Sequence, residues 1–324
     1  MLKIAVINPK QADGMARTII DGLYKMSTEG EVDFSLSNKF QYDLPVENKV
    51  LSRKEFIDYS SKADWIFLIV NAKYGFDKNL IESINQWDKT IYIDGTEVGR
   101  NRRYDFTIQK EIIGGVYSGG SIVNKEMLDK CHCYFKREKP YINGIKPLPF
   151  GIETRYVKHY KNGIKKDIDF VCIFGQDEYP LMRRYARELL EKFCAENGFT
   201  CVTKKTKTSE EFYELLARTK VGVSIGGGGF DTMRFWEILG NNCLLLTERI
   251  DIYEPDSNDL NYKRIWQFNN LFDFLYQLEK IGNYLRTDYD QNSLDGEYNN
   301  ILDRHSSVTR VSDIISIANK TNLK

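Results

Sequence analysis

The sequence predicts an α/β protein of two Rossmann-like, doubly wound domains that face each other across a cleft. Three observations point there. The chain has 324 residues, enough for two separate cores. Short apolar, β-branched runs alternate with helical segments in both halves, which is the sequence form of a parallel sheet. Between the halves lies the polar run YVKHYKNGIKK at 156–166, read here as a solvated linker. The expected division is a first Rossmann-like domain over 1–155, the linker over 156–166, a second Rossmann-like domain over 167–304, and a C-terminal helix within 305–324 that packs back on the first domain.

In the first half, residues 2–7 form a buried strand, 15–26 a helix after Gly14, and 31–36 a second strand. Ser52 caps a short helix to about 59, and DWIFLIV at 64–70 is a long buried strand. Asp77 caps a helix over 78–87, and TIYID at 90–94 is the next strand. No glycine fingerprint follows the first strand, which argues against a dinucleotide oxidoreductase. From 95 to 120 the pattern loosens into GTEVGRNRR and GGVYSGG, a long loop at a strand end where sites are built. Asp94 stands at that strand tip, either as a turn residue or as a carboxylate base. Residues 131–137 are a strand, and the prolines of KPLPFG at 146–151 impose an extended exit.

The second half restarts the alternation with a strand at 168–174 and a helix at 181–196, started by Pro180 and stopped by Gly198. Arg183 and Arg184 fall in its first turn, where cations are disfavoured unless an anion binds nearby. Thr208 and Glu211 form a capping box after a strand at 200–203. A strand at 264–268, a helix at 271–281 and a helix around 313–318 complete the chain.

Composition narrows the function. There are 46 basic and 46 acidic residues, so nothing draws the whole molecule to nucleic acid or membrane, and such a partner would need a local patch. No apolar run reaches the ~18 residues of a membrane span, and the chain enters a strand directly at its start, which reads as cytoplasmic. The six cysteines fall mostly inside apolar elements, as buried hydrophobes. Cys131-His132-Cys133 has no second cluster at ligand spacing, so no metal site is expected.

The unit at 221–248, VGVSIGGGGFDTMRFWEILGNNCLLLTE, carries the chemistry. A buried strand leads into Gly226, Gly227, Gly228 and Gly229, whose backbone reaches angles closed to other residues. Asp231 is an N-cap for a helix that Gly240 stops, and a second buried strand follows. Strand, glycine loop and helix N-terminus together make a site for a diphosphate on backbone N–H groups. Arg234 and Glu237, three apart, share one helix face, the first suited to phosphate and the second to ribose hydroxyls. Glycines for helix-to-sheet packing and a surface ion pair would explain the same residues more plainly. Four consecutive glycines, however, weaken a fold by roughly 0.5–1 kcal/mol each relative to alanine, more than packing alone calls for.

This layout resembles the GT-B class of glycosyltransferases, in which the C-terminal domain holds a nucleotide-sugar and the N-terminal domain the acceptor. DTMRFWEILGNNCLLL resembles the donor motif of spore-maturation-protein-like bacterial glycosyltransferases, and its Arg-x-Trp-Glu core is similar to the donor site of phage DNA β-glucosyltransferase. YIDGTE at 92–97, YFKRE at 134–138 and PLPFGI at 147–152 support the bacterial family. The resemblance implies Arg234 on the diphosphate, Glu237 on the ribose and Asp94 as the base that deprotonates the acceptor. Larger GT-B families pair two glutamates eight positions apart. Here the earlier position is Gly229, and Asp231 is the nearest carboxylate to take its place.

The expected reaction is displacement at the anomeric carbon of a UDP- or GDP-sugar, with no tightly bound cofactor and no metal, because Arg234 and the helix end stabilise the leaving diphosphate. A base on the opposite face gives inversion. The Asp-x-Asp pairs at 167–169 and 288–290 fall at a strand start and in a polar segment, and are set aside as metal motifs. The acceptor is a glycan, a lipid-linked or a small molecule. Arg100, Arg102, Arg103 and Arg183 are weaker candidates for acceptor or phosphate contact, the first three forming a small basic strip. Such a strip keeps a DNA-modifying glucosyltransferase open, beside a nucleotide-sugar epimerase and a non-catalytic nucleotide-sugar-binding protein.

Overall fold

The computed structural model describes residues 1–10, 13–40, 44–70, 75–97, 123–138, 143–176, 180–250, 252–253 and 259–321. The first half contributes β1 (Leu2–Ile7), α1 (Gly14–Thr28), β2 (Val32–Leu36), α2 (Arg53–Ser61), β3 (Trp65–Val70), α3 (Lys78–Ile84), β4 (Thr90–Asp94), α4 (Lys125–Lys130), β5 (Cys133–Lys136) and β6 (Ile145–Pro147). These six strands form one parallel sheet in the order β2-β1-β3-β4-β5-β6. β3 shows why its sequence is an unbroken apolar run. Phe67 and Ile69 enter one core and Ile66, Leu68 and Val70 another, so both faces of the strand are covered.

After α5 (Thr154–Val157) the second half begins with β7 (Ile168–Val171), α6 (Leu181–Asn197), β8 (Cys201–Val202), α7 (Ser209–Ala217), β9 (Thr219–Ser224), α8 (Met233–Gly240), β10 (Leu244–Glu248) and β11 (Ile265–Phe268). Its five strands are parallel in the order β11-β10-β9-β7-β8. Both sheets therefore have the same winding: the second strand lies on one side of the first, and the third, fourth and fifth on the other. In the first sheet a crevice opens where the order reverses, at the carboxyl ends of β1 and β3.

Local signals act largely as the residues dictate. Ser52 and Glu55 close a reciprocal capping box on α2, and Gly198 ends α6 at φ 72°. α3 stops earlier than its sequence suggests, because Asn85 takes the left-handed conformation at φ 51°. Thr208 caps α7, but the Glu211 carboxylate bonds the Lys207 N–H rather than completing the box. Among the described residues no helix is long and apolar enough to cross a membrane.

Three helices follow β11: α9 (Leu271–Thr287), α10 (Gln291–His305) and α11 (Ser307–Lys320). α11 lies on α1. A Cβ added to Gly22 would fall 2.3 Å from the Ser307 carbonyl oxygen, so only glycine admits this approach. Asp21 accepts from the Ser307 hydroxyl at 2.6 Å and the Thr154 N–H at 3.0 Å. The polar run at 156–166 is buried at both ends: Tyr156 is fully buried, and Lys166 donates to the Asn241 carbonyl at 2.6 Å.

Candidate active site

The glycine loop after β9 faces the first half of the molecule, and that explains its composition. Gly227, Gly228 and Gly229 all keep φ outside the left-handed region, so the expected need for special backbone angles is not what selects them. Space selects them. An added Cβ at Gly227 would lie 2.9 Å from a terminal nitrogen of Arg183, at Gly228 2.2 Å from Glu97 Oε2, and at Gly229 2.1 Å from Glu138 Oε1. Gly226 donates its N–H to Glu248 Oε1 at 2.7 Å, and Gly227 to the Gly229 carbonyl at 2.8 Å. Arg183 directs its guanidinium to the Ile225 carbonyl at 2.8 and 3.2 Å and the Gln176 carbonyl at 3.2 Å, holding the loop base from within its own half.

Asp231 differs from expectation. α8 begins at Met233 with Thr232 at the cap position, and Asp231 caps nothing. Its carboxylate is fully buried and accepts from the Phe150 N–H and the Trp236 indole N–H, each at 2.8 Å. Burial pushes this carboxyl up to about 6, against the pull of Arg137, whose Nε lies 3.8 Å away. Asp231 braces one half against the other and does not line the pocket that holds Arg234 and Glu237.

That pocket, of about 250 Å³, opens beyond the carboxyl ends of β7 and β8 and is lined by Gly175, Lys205, Lys207, Phe212, Arg234 and Glu237 among others. Arg234 stacks its guanidinium 3.7 Å from the Phe212 ring centre and pairs with Glu237 Oε2 at 2.6 Å. The Tyr213 hydroxyl donates to the other Glu237 oxygen at 3.2 Å. The Arg234 Nε is buried with no acceptor among the described residues. Three cations and one carboxylate around the slot suit the charge of a nucleoside diphosphate.

The first half presents its own charged groups to the loop. Asp94, at the tip of β4, is 2% exposed. The Tyr134 hydroxyl donates to its Oδ2 at 2.5 Å, the Thr96 N–H to its Oδ1 at 2.9 Å, and Lys136 lies 3.5 Å away. Burial lowers the Lys136 ammonium from its ordinary value while Asp94 opposes that. Both oxygens of Asp94 are thus engaged. Three residues on, Glu97 is half exposed and lies against Gly228, with Arg137 at 3.3 Å. Arg137 also donates to the Asp231 carbonyl at 2.6 Å and stacks 4.4 Å from the Phe150 ring centre. Glu138, buried beside it, accepts the Asp231 N–H at 3.0 Å. Arg100, Arg102 and Arg103 lie outside the described residues.

No family model and no curated protein matches the chain. Solved structures do. An α-glucosyltransferase in complex with UDP and a 13-mer DNA containing an HMU base aligns with TM-score 0.58 and 9% identity over 98% of this chain and 99% of that one. A glycosyltransferase from Rickettsia africae aligns at 0.55 and 9% over 99% and 98%. Anabaena HepE in complex with UDP-glucose aligns at 0.52 and 8% over 99% and 100%. The fold is GT-B. Identities this low carry the fold and nothing finer, so the roles of individual residues rest on the geometry above.

Within this GT-B frame, Arg234 and Glu237 come together in one pocket, whereas Gly226, Gly227, Gly228 and Gly229 are not among its lining and the last two face the other half. Sequence reasoning passed over Arg137 and Glu138, although YFKRE at 134–138 stood out as a block. The signal was there in two charged residues directly after a buried strand, the position from which a side chain reaches into a GT-B cleft. Among the described residues no group of three or more His, Cys, Asp or Glu converges as metal ligands, and His132 bonds the Ala318 carbonyl at 2.9 Å through Nε2.

Proposed function

We propose that the protein transfers a sugar from a nucleoside-diphosphate sugar to an acceptor hydroxyl. The observation that carries this is the Arg234–Glu237 pair in a slot beyond β7 and β8, on the helix that follows a glycine loop facing a half-exposed carboxylate of the other half, Glu97. Glu237 takes the ribose hydroxyls and the Arg234 guanidinium faces the diphosphate. Lys205 and Lys207 add positive potential where the leaving group gains charge. Leaving-group stabilisation of this kind needs no metal. The UDP and UDP-glucose bound in similar structures make UDP-glucose the first donor to test.

Glu97 is the better base than Asp94, because its carboxylate is open to solvent and lies against Gly228. A base facing the anomeric carbon from the side opposite the diphosphate gives inversion. The division into an acceptor-side half and a donor-side half follows from the same placement.

The test is calorimetric titration with UDP and UDP-glucose. Glu237→Gln should remain folded and bind UDP about 10- to 150-fold more weakly, the effect of losing a hydrogen bond to a charged acceptor worth roughly 1.5–3 kcal/mol. Unchanged affinity in the folded variant would remove Glu237, and with it this donor site.

A further inference from the structure

We propose that the crevice at the carboxyl ends of β1 and β3 binds the phosphate of a phosphorylated acceptor, as a second anion site apart from the donor pocket. The inference rests on the glycosyltransferase reading and adds the chemical class of its acceptor. The crevice has a volume of about 580 Å³, more than twice the roughly 250 Å³ of the slot at Arg234 and Glu237. It opens where the strand order of the first sheet reverses, the position at which doubly wound sheets take ligands. Ile69 in its wall pairs with Ile93 of β4, so the strand that leads to Glu97 is the next one in the sheet from the crevice wall.

Its lining favours an anion over a neutral sugar or a lipid tail. Lys10, Arg53 and Lys78 stand around it against a single carboxylate, Asp77. That carboxylate is already engaged, since Oδ1 caps α3 through the Leu80 N–H at 2.9 Å and Oδ2 lies 3.5 Å from Arg53. Lys10 has no carboxylate at ion-pair distance among the described residues. Lys78 is exposed, and among the described residues it has one carboxylate at ion-pair distance, Glu82 at 3.8 Å, with Glu126 farther off. Asn8 and Asn38 make a fixed floor: Asn8 donates to the Asn38 carbonyl at 3.1 Å, and Asn38 returns its N–H to Asn8 Oδ1 at 3.1 Å and its amide to the Asn8 carbonyl at 2.8 Å. A doubly charged phosphate is the compact anion that three cations on such a floor would hold. The volume leaves room for one sugar or nucleoside unit attached to it.

The experiment titrates the protein, its donor pocket saturated with UDP, with glucose 6-phosphate and thymidine 5′-monophosphate, and with glucose and thymidine as controls. Both phosphates should bind saturably at millimolar concentration or below and the controls about tenfold more weakly. The tighter phosphate tells whether a sugar or a nucleoside accompanies the anion. The double variant Lys10→Glu/Lys78→Glu, altered at two exposed side chains, should lose about tenfold in phosphate affinity, or roughly 1.4 kcal/mol, with UDP affinity unchanged. Equal binding with and without phosphate, glucuronate binding as well as glucose 6-phosphate, unchanged phosphate affinity in the double variant, or no saturable phosphate binding would each overturn the proposal. Failure of UDP to bind the wild-type protein would instead strike the donor reading, and the same phosphate titration without UDP would still report on the crevice.

Discussion

Asp94 and Glu97 lie three residues apart at the end of one strand, and their surroundings assign them different work. Asp94 holds Tyr134, Thr96 and, at longer range, Lys136 in a buried cluster. Removing its charge should cost stability, because the Lys136 ammonium would be left buried without its nearest counter-charge. Glu97→Gln should keep UDP affinity and stability while lowering turnover by about two to four orders of magnitude, the usual contribution of a positioned proton acceptor. Asp94→Asn should show the reverse pattern: a lower urea midpoint, with rate per folded molecule changed far less. Near-normal turnover by Glu97→Gln with the acceptor in hand would return the base to Asp94 or to another carboxylate of the first half. Arg234 and Glu237 were legible in the sequence because i and i+3 positions share a helix face. The difference between Asp94 and Glu97 was not, since it depends on Tyr134 and Gly228, residues 40 and 131 positions from those they touch.

At the scale of elements, the glycine loop separates two kinds of close approach. The carboxylate facing Gly228 belongs to half-exposed Glu97 and can swing away. The one facing Gly229 belongs to Glu138, which is 2% exposed and bonded to the Asp231 N–H. Gly229→Ala should therefore cost about 1–3 kcal/mol of stability, the usual range for overpacking, and Gly228→Ala distinctly less, with its main effect on turnover. Urea unfolding of the two variants checks this, and equal losses would mean that Glu138 yields as readily as Glu97. The strands were readable as apolar runs because both sheets are covered on both faces. α10 was not, because its apolar residues, Leu294, Tyr298, Ile301 and Leu302, are thinly set among asparagines, aspartates and serine. The loop was noticed for its glycines, but a single sequence does not reveal what presses against them.

At the scale of the whole molecule, His305 ends α10 at the junction of the halves. It meets the hydroxyls of Tyr253 at 3.0 Å and Tyr262 at 2.9 Å, and Arg310 at 3.2 Å. Burial, with Arg310 and Arg304 close by, pushes its imidazole down from an ordinary 6.5 to about 2, so it remains neutral in the folded chain. The unfolded chain takes up a proton near 6.5 that the folded one refuses. The stability conferred by the neutral ring is thus present above pH 6.5 and is lost as the pH falls below it, by up to about 1.4 kcal/mol per unit. Between pH 6.5 and 5 the urea midpoint of the wild type should fall more steeply than that of His305→Gln. Parallel slopes would show that His305 does not carry this proton linkage.

The seating of α11 on α1, across Gly22, bears on how the chain is made. α1 emerges from the ribosome before any strand of the second sheet, whereas the helix that covers it is built only after all the described ones. Until then the α1 surface under Val311, Ile314 and Ala318 stands open to water. The first sheet cannot complete its burial in isolation, so this half is expected to wait for the other during synthesis, reversing the usual order in which an N-terminal domain finishes first.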